Sequence, residues 1–436
     1  MRAKKTQRKQ TKSPKKRKGG SAIGQGSYGC VLDRPLRCAN GDNAIDNIDP
    51  RRVVSKLFMD KYTYKTEVNN MNTIAAIPGS DGWSLLMQGN CQVDMDTPNA
   101  TPDEEEACNV LNQRETASDP IYQIIMTKGS ISLDAFIKSG GKLSIYDFCR
   151  YIKNVLQGVC AMHASKSMHL DIKPGNVVLK QMKDDDVVVD EMQAYLIDFS
   201  LMSSLKEPLY TQEKKHLFLN SANTEHGHFM YQWYPPEFRI YGLYLQQKPI
   251  KETTVLQLLN EQYGKDLFIQ DVRQLADEVL EFAGVVDPPN FDRYNTCVDV
   301  FSVAMTFTRL LDCIDPRDVY ANQKEYATIR RLLRFMRCGN PICRMSHTAA
   351  YRAFSDLVTA MKTKSEFMLE MQQKRAQGIR SLLPQSQQIQ QIQRASKVTE
   401  FLNEFDTRKK QIQQRLPAIF PTTKNATLKE NYEMAY

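Results

Sequence analysis

The sequence predicts an α+β chain, with strands gathered in its first third and helices dominating the rest. Three observations carry this. Residues 53–58 (VVSKLF) and 121–126 (IYQIIM) are short apolar runs rich in β-branched side chains, the pattern of buried strands. Residues 144–163 repeat apolar side chains at helical spacing, from Phe148, Tyr151 and Ile152 through Val155, Leu156 and Val159 to Met162. From about residue 251 onward the patterning is mainly helical.

The chain has 436 residues, 42% hydrophobic and 25% charged. That is ordinary globular usage and excludes a collagen, a mucin or a wholly disordered chain. At about 100–200 residues per domain, the length fits two to four domains or one large two-lobed unit with extensions. No run reaches about 18 apolar residues, so no membrane span is expected. The N-terminus lacks an apolar h-region, so no signal peptide is expected. Ten Lys or Arg and no acid lie within residues 1–18, and removing them turns the formal charge of +8 into −2. The basic character therefore belongs to a tail, 1–20, which is expected to be disordered. It reads equally as a solubility tail or as a contact for a polyanion, nucleic acid or a nuclear-import receptor. The ten cysteines are scattered without a C-x-x-C pair, and all ten read as reduced thiols in a cytosolic or nuclear setting.

From Ser21 the pattern is strand-like and punctuated by glycine. The acidic stretch 94–106 reads as a solvated surface loop. Residues 177–179 and 194–197 read as two short strands around the turn Lys183-Asp184-Asp185-Asp186. Residues 364–415 are rich in Gln, Lys and Arg. An amphipathic helix there would carry Ile389, Ile392, Val398, Phe401 and Leu402, either packed back on the body or offered to a partner.

Four motifs carry chemistry. Gly24-Gln25-Gly26-Ser27-Tyr28-Gly29-Cys30-Val31 is G-x-G-x-x-G-x-V, whose glycines let backbone N–H groups approach a polyphosphate. No amphipathic helix begins there, so a strand–loop–strand flap fits better than a dinucleotide fold. Lys56 ends the short apolar run Val53-Val54-Ser55 and is placed to hold the α- and β-phosphates. In His169-Leu170-Asp171-Ile172-Lys173-Pro174-Gly175-Asn176, Asp171 is positioned to orient an attacking hydroxyl. Lys173 is positioned to neutralise the transferred phosphoryl, and Asn176 to ligate a metal. Asp198-Phe199-Ser200 follows a strand and lies 27 residues past Asp171; its carboxylate suits Mg²⁺.

The order of these motifs, followed by Tyr234-Pro235-Pro236-Glu237, resembles the eukaryotic-type serine/threonine protein kinase family over roughly 21–360. The resemblance implies a two-lobed protein-kinase-like fold. A small antiparallel β-sheet N-lobe (21–126) is followed by a mainly helical C-lobe (127–360) and a Gln-rich helical extension (361–436). It implies ATP with Mg²⁺, or Mn²⁺ in its place, and protein substrates bearing Ser or Thr. It makes Glu67 the helix partner of Lys56 and puts the adenine-binding hinge near Met126-Thr127-Lys128. Asp299 becomes the brace of the catalytic loop, and Arg344 the partner of Glu237. Lys173 points to the serine/threonine class.

The departures are informative. Leu170 replaces the arginine that usually anchors an activation-loop phosphate, so activity is expected not to require phosphorylation there. Ser200 replaces glycine, and Met230 stands where serine/threonine kinases often have threonine. An insert at 241–290, two helices by pattern, reads first as a surface elaboration and second as a dock for a protein partner. The chain looks similar to kinases of large nucleocytoplasmic DNA viruses, which implies an intracellular protein, packaged in a virion in one version of this reading. Two competing readings stand beside the enzyme: a pseudokinase scaffold that binds nucleotide without transfer, and a kinase of small molecules or lipids.

Overall fold

Val53–Phe58 is buried along its whole length, which requires cover on both faces and partners on both edges. The computed structural model describes residues 22–26, 29–39, 48–95, 100–112, 119–184, 187–211, 231–376, 398–411 and 414. Five strands form one antiparallel sheet in the order β1-β2-β3-β5-β4. They are β1 (Ala22–Gly26), β2 (Gly29–Leu32), β3 (Val53–Phe58), β4 (Met87–Gln92) and β5 (Tyr122–Thr127). The two most apolar runs, β3 and β5, lie side by side in the interior of the sheet, with Lys56 opposite Ile124.

The chain divides into two compact units. The first comprises Met1–Val68 and Met87–Lys128, the second Asn69–Leu86 and Gly129–Tyr436. The chain crosses from one to the other inside α1 (Lys61–Ala75), between Leu86 and Met87, and after β5.

In the first unit a small apolar cluster built on Cys30, Leu32, Leu57, Val93 and Ile121 covers the sheet. Two disulfides cross it, Cys30–Cys108 and Cys38–Cys91. This corrects the reading of ten reduced thiols. The paired cysteines lie 78 and 53 residues apart in sequence, and only the folding of the sheet brings their Cα atoms to 5.6 and 5.8 Å, within bonding span. Cysteine usage therefore does not argue for a reducing compartment. The acidic stretch is also corrected. It contains α2 (Pro102–Ala107), started by a capping box between Thr101 and Glu104. Glu104 is fully buried and pairs with Arg34 at 2.8 Å. A short α3 (Asn109–Asn112) follows.

The second unit is mainly helical. Its small sheets are β6 (Ile131–Ser132) with β8 (Val177–Asp184) and β9 (Val187–Leu196), and β7 (Ser167–Met168) with β10 (Ser203–Ser204). After α4 (Leu133–Lys138), the periodic segment forms α5 (Ile145–Ala164), whose predicted stripe from Phe148 to Met162 is buried. The segment after Pro236 builds α6 (Glu237–Leu245), α7 (Glu252–Tyr263) and α8 (Ile269–Ala283), then α9 (Val298–Leu310), α10 (Pro316–Ala321), α11 (Gln323–Met336) and α12 (His347–Ala376).

The insert is not a surface elaboration. Val255, Leu259 and Tyr263 of α7, with Val272, Val279 and Phe282 of α8, sit in the same apolar cluster as Met168 and Leu170. Within the extension, a helix over 398–411 buries Val398 and Leu402. It packs back on the body: Asp406 pairs with Arg331, and Lys409 with Glu278 at 2.7 Å. Ile389 and Ile392, like the basic tail, lie outside the described residues. Among the described residues no helix is long and apolar enough to cross a membrane.

Candidate active site

The first unit holds the glycine motif and Lys56. β1 and β2 pair antiparallel, with Gly24 opposite Val31 and Gly26 opposite Gly29; Gln25 is paired with Cys30. Ser27 and Tyr28 lie outside the described residues. Gly29 is needed sterically: a Cβ there would meet the Leu57 carbonyl oxygen at 2.1 Å. Val31 pairs across to Lys56 on β3, so the motif and the lysine are fixed in one register. Lys56 is buried, and its Nζ donates to both carboxylate oxygens of Glu67 at 2.8 and 2.7 Å. Only 11 residues separate them; α1 starts at Lys61, early enough to carry Glu67 back to the strand. Met126 is buried in β5, and Lys128 closes the strand pair by donating its N–H to the Arg52 carbonyl at 2.8 Å, its ammonium reaching Asp33.

The second unit holds the carboxylate constellation. Asp171 is 5% exposed. Its Oδ2 accepts from Lys173 Nζ at 3.0 Å and from Asn176 Nδ2 at 2.7 Å. The same Asn176 nitrogen reaches the Asp171 carbonyl at 2.9 Å, which commits the amide nitrogen and leaves its oxygen as the atom to offer elsewhere. The Asn176 carbonyl accepts from Ile197 N–H at 3.0 Å, so Asp198 follows directly beside Asn176. Phe199 is fully buried against His169, and its carbonyl accepts from Asn70 at 2.7 Å.

Leu170 and Asp198 hold φ of 61° and 64°, a left-handed conformation that Asp tolerates and a bulky side chain such as leucine seldom adopts. Such strain persists only where the surroundings over-determine it. At Leu170 they do: the N–H groups of His169 and Leu170 donate to the two oxygens of Asp299 at 2.9 and 3.0 Å, and His163 bonds the same carboxylate at 3.0 Å. Burial pushes the Asp299 carboxyl up. The His163 hydrogen bond, the charges of His163 and His169 and the His169 N–H outweigh it and hold the group below the ordinary carboxylate range. Leu170 itself is buried in the apolar cluster. Glu237 and Arg344 form a bidentate pair at 2.8 Å, both buried. Burial opposes the Arg344 charge, but Glu237 holds its pKa above the ordinary arginine value.

The structure thus brings Lys56 and Glu67 together in one unit, and Asp171, Lys173, Asn176 and Asp198 in the other. Three contributors were not found in the sequence. Tyr231 donates its hydroxyl to Asp171 Oδ1, and Lys173 Nζ lies 5.5 Å from the centre of its ring. Gln262 donates to the carbonyls of Tyr231 and Tyr234. Asn70 braces Phe199. Only Tyr231 had a signal, its place three residues before Tyr234-Pro235-Pro236-Glu237. Met230 lies outside the described residues.

No protein-family model matches the chain. A stretch of 157 residues is 27% identical to a protein described as Mitogen-activated protein kinase spm1 from Cytospora mali, covering 36% of this chain and 31% of that protein. The chain therefore spans about a third of that relative's length. The similarity supports a protein-kinase-like protein at the coarse level.

Proposed function

We propose that the chain is an ATP-dependent protein kinase acting on Ser or Thr hydroxyls. One observation carries the reading: a buried carboxylate, Asp171, with one oxygen held by an ammonium and an amide and the other facing a hydroxyl. That is the arrangement needed to align an incoming O–H and accept its proton late in transfer. Lys173, 3.0 Å from the carboxylate, supplies positive charge beside the acceptor. Phosphoryl transfer leaves the protein mostly positioning and charge neutralisation to do.

The donor set fits Mg²⁺. An Asn176 amide oxygen and the Asp198 carboxylate are hard ligands, and Mg²⁺ takes one or two carboxylates with phosphates and waters. Bound nucleotide and metal would supply the phosphoryl group and the shielding of its charge. The backbone of 24–31 and Lys56, set by Glu67, are assigned to the phosphates, and the Met126–Lys128 backbone to adenine. Basic protein substrates, a virion or host setting, and partners at the tail, the 241–290 segment or the extension belong to the same proposal.

The test is transfer of labelled γ-phosphate with Mg²⁺ by wild type and Asp171→Asn, followed by phosphoamino-acid analysis. Label on Ser or Thr that the substitution abolishes supports the reading. A second reading, a scaffold that binds nucleotide without transfer, draws on the capping of Asp171 Oδ1 by Tyr231. Mg²⁺-dependent ATP binding without transfer would favour it.

A further inference from the structure

The capped oxygen of Asp171 has a consequence for the acceptor. Oδ2 already takes two donors, Lys173 and Asn176. Oδ1 is the oxygen left for an incoming hydroxyl, and the Tyr231 phenol is on it. The phenol is itself an O–H donor of the kind the carboxylate would receive from a substrate. Burial, the Asp171 charge and the hydrogen bond all push its pKa up, in that order, so it stays protonated and donating.

The contact is built from both ends. The ring lies beside Lys173 and packs on Tyr234, centroids 4.6 Å apart. The backbone is held from α7, where Gln262 Nε2 donates to the Tyr231 and Tyr234 carbonyls at 3.0 Å each. Gln262 is buried, and its oxygen accepts from Arg239 Nε at 2.8 Å. The inserted helix thus fixes the segment that carries the phenol.

Resting on the kinase reading above, we propose that Tyr231 occupies the acceptor-hydroxyl seat on Asp171, so that a substrate hydroxyl binds by displacing it. Tyr231 is then a positioning residue that sets acceptor affinity through Asp171. When the binding-competent form is only a fraction of the population, apparent affinity falls by that fraction. Removing a hydrogen bond to a charged group should restore about tenfold.

The experiment uses the full chain, a Lys/Arg-rich peptide with one central serine, and the same peptide with alanine there. Peptide binding is measured without nucleotide, and transfer is measured with ATP and Mg²⁺. Tyr231→Phe keeps the ring beside Lys173 and removes only the hydroxyl. The expected result is about tenfold tighter binding of the serine peptide and an equal fall in its KM. Binding of the alanine peptide, KM for ATP and kcat should stay within about twofold. Gln262→Glu keeps the acceptor for Arg239, loses the donors to the Tyr231 and Tyr234 carbonyls, and should shift serine-peptide binding the same way by a smaller factor. Unchanged serine-peptide binding in Tyr231→Phe, or equal tightening of both peptides, overturns the proposal even if transfer proceeds. Tightening specific to serine without transfer keeps the seat and removes the enzyme reading. A tenfold fall in kcat would make the phenol a required group and overturn displacement. No transfer and no peptide binding in either protein overturns both.

Discussion

The two compact units hold their charged groups by different means. In the first, Lys56 stands on a five-stranded sheet with a small core and is paired to Glu67; the covering segments are tied down covalently by Cys30–Cys108 and Cys38–Cys91. In the second, Asp171 sits in a helical body with a large aromatic core. Lys173, Asn176 and the Asp299 brace share the work of placing it, and the Tyr231 phenol caps its Oδ1. A small domain buries a smaller fraction of its surface and leans on staples; a larger one can afford a network of buried polar groups. The first unit should therefore yield to a reductant, the second to an unpaired buried charge.

The largest effect is expected where that charge is most deeply buried. Glu237→Gln leaves the Arg344 guanidinium without its bidentate partner and should destabilise the second unit by about 3–5 kcal/mol. Urea unfolding followed by tryptophan fluorescence measures it; a loss below about 1 kcal/mol would mean that the Cys297 and Cys338 carbonyls, which also accept from Arg344, suffice. Reduction of the disulfides comes next, at about 2–4 kcal/mol. The two contributions should not add, because the 38–91 loop lies inside the 30–108 loop. Amide exchange resolved by peptide should speed up in β2 and β3 and leave α5 and α9 unchanged. Equal acceleration in both units would erase the contrast between them.

Substitutions at the charged groups themselves sharpen the comparison on activity. Lys56→Met and Asp198→Asn should each lower transfer by at least about 10²-fold, roughly 2.7 kcal/mol. A variant carrying both at wild-type rate would remove these residues from the chemistry.

Acid should act on the second unit. His347 lies against His163, ring centroids 4.3 Å apart, and burial, then the His163 charge, lowers its pKa from 6.5 to about 4. The folded form resists a proton that the unfolded chain accepts. The contribution is therefore complete above pH 6.5 and is lost as pH falls from there toward 4. Discounted for partial exposure, it is roughly 1–2 kcal/mol. The depressed carboxyl of Asp299 adds loss in the same direction at lower pH. His347→Gln should flatten the slope of stability against pH between 6.5 and 4; an unchanged slope would assign the acid sensitivity elsewhere. The smallest effect is expected from alanine or acidic substitutions at Ser203, Ser204 and Thr211. Leu170 is packed in the apolar cluster and offers no cation to a phosphate there, so transfer should stay within a few-fold. A change of two orders of magnitude would refute this. Ser221, the fourth position of that scan, lies outside the described residues.

Local pattern determined what local physics governs. VVSKLF became β3 with the predicted bounds, and the stripe from Phe148 to Met162 became the buried face of α5, because strand and helix periods are written in the order of side chains. The spacing of Asp171, Lys173 and Asn176 was legible for the same reason: a tight segment of six residues places its own side chains. The tertiary structure decided what depends on distant segments meeting. Two disulfides join cysteines that nothing in their spacing pairs. Glu104, one acid in an acidic run, is buried on Arg34. The insert enters the core, and its Gln262 holds Tyr231 over Asp171 from 31 residues away. A sequence records which groups can donate, accept or bond. Which partner each one finds depends on the closing of long loops, and only the folded chain fixes that.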